Sequence, residues 1–228
     1  AVAGTNVKVD GKIGVTAGAV TINDAKAGHA TDAATISTVT LNNYGNSTIS
    51  SNALSTLNLS GTAGTLGLTT GLTTPTNTTL TMNLNKLSGA ANTITDSTAA
   101  AGAGYKTLNV NSSTADSTLV ALNFADVETL NVSGDAKLKI TGANTLTAVK
   151  DIVVTNTAGF DLGTAAIGAT VNFTGGAGDD AVVLSTGFEK AITMGAGNDT
   201  VTYGGAASTV AGKLGSVNAG DGEDTIVM

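Results

Sequence analysis

The chain of 228 residues carries 17 acidic and ten basic side chains, so its formal net charge is −7, and every basic residue is a lysine. Such a chain lacks the basic face that nucleic-acid phosphates require, which excludes nucleic acid as a partner. It contains no cysteine, which excludes a disulfide framework and thiolate-bound zinc, whereas an acidic surface favours divalent cations.

Short runs with an apolar residue at each end recur along the chain at intervals of 18 to 26 residues. An interval of this size is close to one turn, or rung, of a parallel β-helix. Ten such runs are visible, at residues 20–22, 39–41, 57–59, 82–84, 108–110, 130–132, 152–154, 171–173, 192–194 and 217–219.

Most rungs carry a second strand-like run, at residues 48–49, 65–68, 93–95, 118–120, 137–140, 160–162, 182–184 and 201–203. Apolar and polar residues alternate in these runs, which places one row of side chains inward and one outward. The sequence therefore predicts an all-β fold, a right-handed parallel β-helix (β-solenoid) of ten rungs. The longer intervals predict surface loops at 67–79, 99–105 and 204–212.

Asparagine recurs at the middle of the first strand in six rungs. Stacked rungs would align these side chains into a ladder of amides. The alternative is a solvated polar face, and both interpretations are structural. The six residues are Asn58, Asn83, Asn109, Asn131, Asn172 and Asn218.

Three glycine-rich acidic loops, at residues 175–180, 194–199 and 219–224, each precede a short alternating run near the C-terminal end. Glycines allow a turn tight enough to aim several backbone carbonyls inward, and the sixth residue of each loop is an aspartate. Calcium takes six to eight oxygen ligands, including carboxylates and carbonyls. The loops therefore indicate calcium binding, and the alternative is a set of ordinary Gly-Asp turns without metal.

The motifs of common enzymes are absent. His29 is the only histidine, so a zinc site of the HExxH type is excluded, and we expect His29 to be an exposed polar residue. There is no GxSxG motif, and the carboxylates lie at the loop edge rather than on an outer sheet. We therefore expect no enzymatic activity and no small-molecule substrate.

The runs STLNLSGTAG, ETLNVSGDAKLKIT, VNFTGGAGDDAVVL, KAITMGAGNDTVT and SVNAGDGEDTIV resemble the central and C-terminal parts of calcium-dependent RTX surface-layer proteins of Gram-negative bacteria, of the Caulobacter and Campylobacter type. The resemblance divides one continuous array at residue 170: rungs without a clear metal motif at 1–170 and RTX-type, β-roll-like calcium-binding rungs at 171–228. It implies type I secretion, a location on the cell surface and self-association into a two-dimensional lattice. Anchoring to outer-membrane lipopolysaccharide would involve a region outside this chain.

The resemblance also implies a ligand set. Asp180 and Asp199 would share one calcium ion, and Asp199 and Asp224 a second. The aspartates of the second pair are 25 residues apart, against 19 for the first pair, because the predicted loop at 204–212 lies between them. Asp161, 19 residues before Asp180, is a candidate for a further site, although a solvated turn residue is the competing interpretation. Backbone carbonyls would complete the coordination shells, from Gly176, Gly178, Gly195, Gly197, Gly220 and Gly222.

Two functions remain open from the sequence. The first is a structural, lattice-forming module, and the alternative is the calcium-dependent β-roll of an RTX adhesin or exoenzyme whose active domain lies outside this chain. Because the chain starts without Met and stops at Met228, we expect it to be a fragment of a longer protein. A catalytic domain upstream would favour the alternative, and an anchoring domain would favour the lattice.

Overall fold

The structure, a computed structural model, describes residues 18–27, 34–69, 77–98, 102–205 and 215–228, and the backbone alone of residues 6–10. Within these residues all regular secondary structure is β. No helix in this part of the chain is long and apolar enough to cross a membrane. His29 and parts of the three predicted surface loops lie outside the described residues.

The described residues form three parallel sheets. The long sheet has ten strands: β1 (Asn6–Asp10), β3 (Thr38–Tyr44), β5 (Thr56–Ala63), β7 (Thr79–Ser88), β9 (Thr107–Ser112), β12 (Thr129–Gly134), β14 (Asp151–Val154), β16 (Asn172–Thr174), β18 (Ala191–Thr193) and β20 (Ser216–Asn218). The N-terminal sheet has five: β2 (Thr21–Asn23), β4 (Ser47–Ser50), β6 (Leu66–Thr69), β8 (Thr93–Asp96) and β11 (Ala121–Asn123). The C-terminal sheet has six: β10 (Ser117–Leu119), β13 (Leu138–Ile140), β15 (Phe160–Ile167), β17 (Ala181–Leu184), β19 (Thr200–Tyr203) and β21 (Thr225–Val227).

The predicted parallel β-solenoid is confirmed. Within each sheet all pairings are parallel, and each strand between the two ends pairs with strands of the turns before and after it, as β9 does with β7 and β12. Alternation of buried and half-buried residues follows the pleat, so that Leu108 and Val110 of β9 are fully buried while Asn109 between them is not. The core is a single continuous stack of aliphatic side chains with a few aromatic rings, and burying each large side chain contributes about 1.5–3 kcal/mol.

Three registers in the long sheet differ from the predicted alignment. Leu80, not Met82, pairs with Leu108. Phe173, not Val171, pairs with both Ile152 and Ile192. All three differences are slips of two residues. A slip of two keeps each side chain on its original face, so the apolar pattern fits both alignments equally well.

The assignment of strands to sheets also differs from the prediction. Residues 20–22 do not open the long sheet, because β2 pairs with β4 in the N-terminal sheet and β1 takes the first place in the long sheet. The second strands of the rungs divide between two sheets. The turn that follows β9 contributes to both, with β10 beginning the C-terminal sheet and β11 ending the N-terminal sheet.

The predicted asparagine ladder is present in segments. In one column Asn83 donates to Asn58 at 2.8 Å, and in another Asn131 donates to Asn109 at 2.8 Å. The slip between β7 and β9 separates these two columns. The second column ends at Asn131, because the next residue in register is Val153. Asn172 donates to Asp151 at 2.8 Å and not to another asparagine.

Candidate metal-binding loops

The three glycine-rich acidic loops connect the long sheet to the C-terminal sheet, and we call them together the acidic loop stack. Residues 175–180 lie between β16 and β17, residues 194–199 between β18 and β19, and residues 219–224 between β20 and β21. Because both flanking sheets are in parallel register, the three loops stand directly above one another at one edge of the solenoid. The structure thus brings nine of the ten predicted ligands together.

Backbone hydrogen bonds join each loop to the next. The Ala196 N–H donates to the Gly176 carbonyl at 2.9 Å, and the Asp221 N–H donates to the Gly195 carbonyl at 2.9 Å. Each carbonyl keeps a second lone pair after accepting one hydrogen bond. The loops are therefore stacked as tightly as the strands that they connect.

Glycine is required at these positions because the loops approach one another closely. Gly195 and Gly220 have φ values of 102° and 96°, which L side chains rarely adopt. A Cβ at Gly195 would collide with the Gly176 carbonyl oxygen, and one at Gly220 would collide with the Gly195 carbonyl oxygen. The glycine pattern of the sequence is thus explained by backbone contact between successive turns.

The sixth residues of the loops form a column of carboxylates. Oδ1 of Asp224 accepts from the Asp199 N–H at 3.0 Å, and Oδ1 of Asp199 accepts from the Asp180 N–H at 2.8 Å. The column ends at Asp180, whose two oxygens accept from the Phe160 N–H at 2.7 Å and the Gly176 N–H at 3.0 Å. One aspartate therefore stands on each turn, with its carboxylate directed at the turn before.

Burial sets the electrostatics of this column. Asp180 and Asp199 are each only 1% exposed. Burial raises the pKa of Asp180 to about 6, with a smaller contribution from the charge on Asp199. Burial likewise raises the pKa of Asp199, and the neighbouring charges on Asp224 and Asp179 add to the effect. The ionised column is disfavoured in the absence of a compensating cation.

One oxygen in the column has no partner. Oδ2 of Asp199 is buried and makes no hydrogen bond with any described residue. A buried carboxylate oxygen without a donor is costly, so it marks a place where a cation would be stabilising. Asp199 is also the carboxylate that the resemblance assigns to two ions.

The donor set fits calcium. Among the described residues, no three Asp, Glu, His or Cys side chains come together into a cluster. An ion in the stack would therefore be held by two successive aspartates and by loop carbonyls, all of them oxygen donors, which calcium accepts in irregular geometries. The residues that would hold it are Asp180, Asp199 and Asp224 with the carbonyls of Gly176, Gly178, Gly195, Gly197, Gly220 and Gly222.

Asp161 is not part of the column. Phe160, not Asp161, occupies the position beneath Asp180, because Asp161 pairs in register with Ala181. Its carboxylate bonds the Lys139 ammonium at 2.7 Å and the Gly163 N–H at 2.8 Å. Asp161 therefore lies within strand β15 and pairs with a lysine, and is not the solvated turn residue of the competing interpretation.

The fifth residues of the loops form a second, exposed column. Asp179 accepts from the Asn198 N–H at 2.8 Å, and Asn198 accepts from the Glu223 N–H at 2.9 Å. All three side chains are solvent-exposed. They tie the outer edges of the loops together and face solvent.

Two residues that support the stack were missed from the sequence. Asn156 is fully buried beneath the first loop, where its Oδ1 accepts from the Ala158 and Gly159 N–H groups at 2.7 and 2.9 Å. The Lys137 ammonium donates to the Asp179 carbonyl at 3.3 Å and lowers the pKa of Asp180, against the larger effect of burial. Asn156 could have been found from the sequence, because it lies one rung below Gly176. Nothing in the sequence indicates the contact of Lys137 with Asp179, because the two residues are 42 positions apart.

The fold and these loops define the class: a parallel β-solenoid that ends in a stack of Gly-Asp loops. The sequence matches no known protein-family model, and a search of curated proteins returns no significant match.

Proposed function

We propose that this chain is a structural module whose C-terminal turns are completed by calcium. The observation that carries the proposal is the buried Asp199 carboxylate, which stands between two other aspartates with one oxygen unpartnered. Calcium at this position supplies the missing partner and neutralises the repulsion along the column.

Calcium then acts as a folding switch. At low calcium, the like charges of Asp180, Asp199 and Asp224 oppose the stacking of their loops. At the millimolar calcium of an extracellular medium, weak sites of the extracellular type are occupied and the free energy of binding adds to the free energy of folding. A chain with this property remains unfolded in the cytosol and folds after export.

The wider role that we propose is that of a surface-layer protein. The resemblance of the repeated runs supports secretion and assembly into a two-dimensional lattice on the outer surface of a Gram-negative cell. The shape is suitable, because ten strands at about 4.8 Å spacing make a rod of roughly 45 Å. Attachment to lipopolysaccharide belongs, in this proposal, to a separate region.

The calcium part is tested by titrating the purified chain with calcium and with magnesium, while β-structure is followed by circular dichroism and heat by calorimetry. Calcium is expected to bind and to raise the thermal midpoint. Magnesium serves as the matched control, because it demands near-octahedral geometry and keeps its waters. Equal stability with calcium and with chelator would refute the switch.

The lattice part needs a separate experiment. Electron microscopy of the chain with and without calcium is expected to show ordered sheets only when calcium is present. If calcium folds the chain but leaves it as dispersed monomers, the proposal of a calcium-dependent module stands. The proposal that this chain assembles into a lattice by itself would then be refuted.

A further inference from the structure

The outer face of the long sheet carries a groove that the calcium proposal does not use. Two adjoining clefts, of 470 and 220 Å³, lie along strands β3, β5 and β7, and the smaller one reaches Ser113, directly after β9. They share Ser60 and Asn85 and form one channel parallel to the long axis. We call this channel the amide groove, lined centrally by Asn42, Asn58, Ser60, Asn83, Asn85 and Ser113.

Two amides in this groove, those of Asn58 and Asn83, are held in fixed orientations. Asn58 donates to Thr40 Oγ1 at 3.1 Å, Asn83 donates to Asn58 Oδ1 at 2.8 Å, and Asn111 donates to Asn83 Oδ1 at 3.4 Å. An asparagine amide has two N–H donors and two lone pairs on its oxygen. Asn58 and Asn83 each use one N–H donor and one oxygen lone pair in the ladder. Each therefore retains one N–H donor and one lone pair for a ligand.

A raised rim bounds the groove on one side. Three successive turns place a residue in the left-handed region there: Asn43 at φ 47°, Gly61 at φ 74° and Lys86 at φ 52°. Non-glycine residues seldom adopt this conformation, and β-bulges of this kind re-aim the side chains next to them. The Thr62 N–H donates to Asn43 Oδ1 at 2.9 Å, which locks the rim between neighbouring turns.

The lining selects the chemistry of a ligand. Lys86 is the single charged residue among those lining the two clefts, and none of them is aromatic or acidic. An anionic polymer would need more positively charged side chains than this lining has, and an apolar partner would need an apolar surface. The lining also has no carboxylate that could act as an acid or base in hydrolysis. What remains is an array of amides and hydroxyls that both donate and accept hydrogen bonds.

We propose that the amide groove binds a neutral glycan chain. Neighbouring hydroxyls on a sugar ring donate and accept together, which matches the free donor and acceptor on each ladder asparagine. Because the ladder fixes the amides in advance, binding loses little side-chain entropy. No aromatic ring stacks on the sugar, so affinity depends on many hydrogen bonds along a chain that spans about 14 Å across four strands.

The groove is distinct from the acidic loop stack. It lies on β3 to β9, whereas the first acidic loop follows β16. The glycan proposal is therefore independent of the calcium proposal, and each can be tested without the other.

The test is saturation-transfer NMR of the full chain, in calcium, with hexasaccharides of glucose, mannose, galactose and N-acetylglucosamine. At least one is expected to bind, and the double variant N83A/N85A is expected to bind it about tenfold more weakly, the equivalent of one to two hydrogen bonds. Asn172→Ala is the matched control, because it removes a long-sheet asparagine with a 2.8 Å hydrogen bond three strands beyond β9.

Asn85 is exposed, so Asn85→Ala alone tests the groove if the double variant does not fold. Failure of all four hexasaccharides to bind would overturn the proposal. So would undiminished binding by the groove variants, or an equal loss in Asn172→Ala. The remaining outcome is a groove variant that changes the oligomeric state in analytical sedimentation and leaves glycan binding unaffected. That result would identify this face as an interface between copies of the chain and would also overturn the glycan proposal.

Discussion

Asp180 and Asp199, on successive turns, are joined by one hydrogen bond that leaves a carboxylate oxygen without a partner. The Asp180 N–H donates to Oδ1 of Asp199 at 2.8 Å, while Oδ2 of Asp199 is buried and accepts no hydrogen bond from the described residues. A backbone donor thus holds one half of the carboxylate in place, and the other half is available to a cation. The predictions below follow from this arrangement and from the packing that supports it.

Asp199→Asn is expected to separate folding from calcium binding. The amide oxygen can still accept from the Asp180 N–H, and the substitution removes a buried charge from the column. We therefore expect the variant to be at least as stable as the native chain in chelator. Its calcium-induced stabilisation should fall by about 2.7 kcal/mol for each site lost at 100-fold excess over the dissociation constant.

Thermal unfolding followed by circular dichroism, in chelator and in calcium, measures both effects. Glu223→Gln is the control, because Glu223 is exposed in the last loop and its carboxylate is outside the Asp180 to Asp224 column. A full calcium response in Asp199→Asn would contradict the assignment of Asp199 as a shared ligand.

Calcium-free stability is expected to fall as pH rises from about 4 to about 6. The pKa of Asp180 is raised to about 6 from an ordinary value of 3.8, so between these values the folded state binds more protons than the unfolded state. The destabilisation by the buried charge is absent below pH 3.8 and complete above pH 6. We expect a change on the order of 1 kcal/mol, after allowance for solvent screening.

Urea unfolding in chelator across this pH range tests the effect. Asp180→Asn should remove most of the slope, and a native chain that gains stability as pH rises from 4 to 6 would contradict the prediction. Calcium should reverse the trend, because the ion binds the deprotonated carboxylate.

Gly197→Ala is expected to disrupt the acidic loop stack. Gly197 has a φ of 126°, and a Cβ there would lie 2.8 Å from the carbonyl carbon and oxygen of Gly178. Backbone strain and the collision together should cost more than about 2 kcal/mol. Gly187→Ala is the matched control, since Gly187 has a φ of 74° but nothing within 4 Å of the added carbon. Equal losses in urea unfolding would show that loop contact is not the cause.

Asn156→Ala is expected to destabilise the chain both with and without calcium. The side chain bonds two N–H groups of its own turn and donates to the Ser133 and Ala136 carbonyls at 3.2 and 2.8 Å. Its removal leaves several buried polar groups unpaired, at a cost of about 2–4 kcal/mol. Chemical unfolding in chelator measures this loss, and Asn46→Ala, at an exposed turn position, is the control. A loss of stability in Asn156→Ala that is seen only in the presence of calcium would instead indicate that Asn156 belongs to the ion site.

Much of this protein was predictable from local pattern. The recurrence of apolar pairs predicted a parallel solenoid, because alternation with period two can bury one face of a strand only when another turn covers it. The glycines at 195, 197, 220 and 222 predicted tight turns, and the structure adds a second reason for them, because a Cβ at any of the four would collide with the backbone of the preceding loop.

Register and sheet membership were decided by packing between turns. The slip that pairs Leu80 with Leu108 preserves the inward and outward faces, so no property of either strand alone reveals it. Asp161 had the right spacing from Asp180 but lies one residue beyond the carboxylate column, where it meets Lys139. Asn156, the Asp199 oxygen without a partner and the amide groove all depend on which side chains meet across turns, and that follows from the three-dimensional stacking of residues more than 18 positions apart.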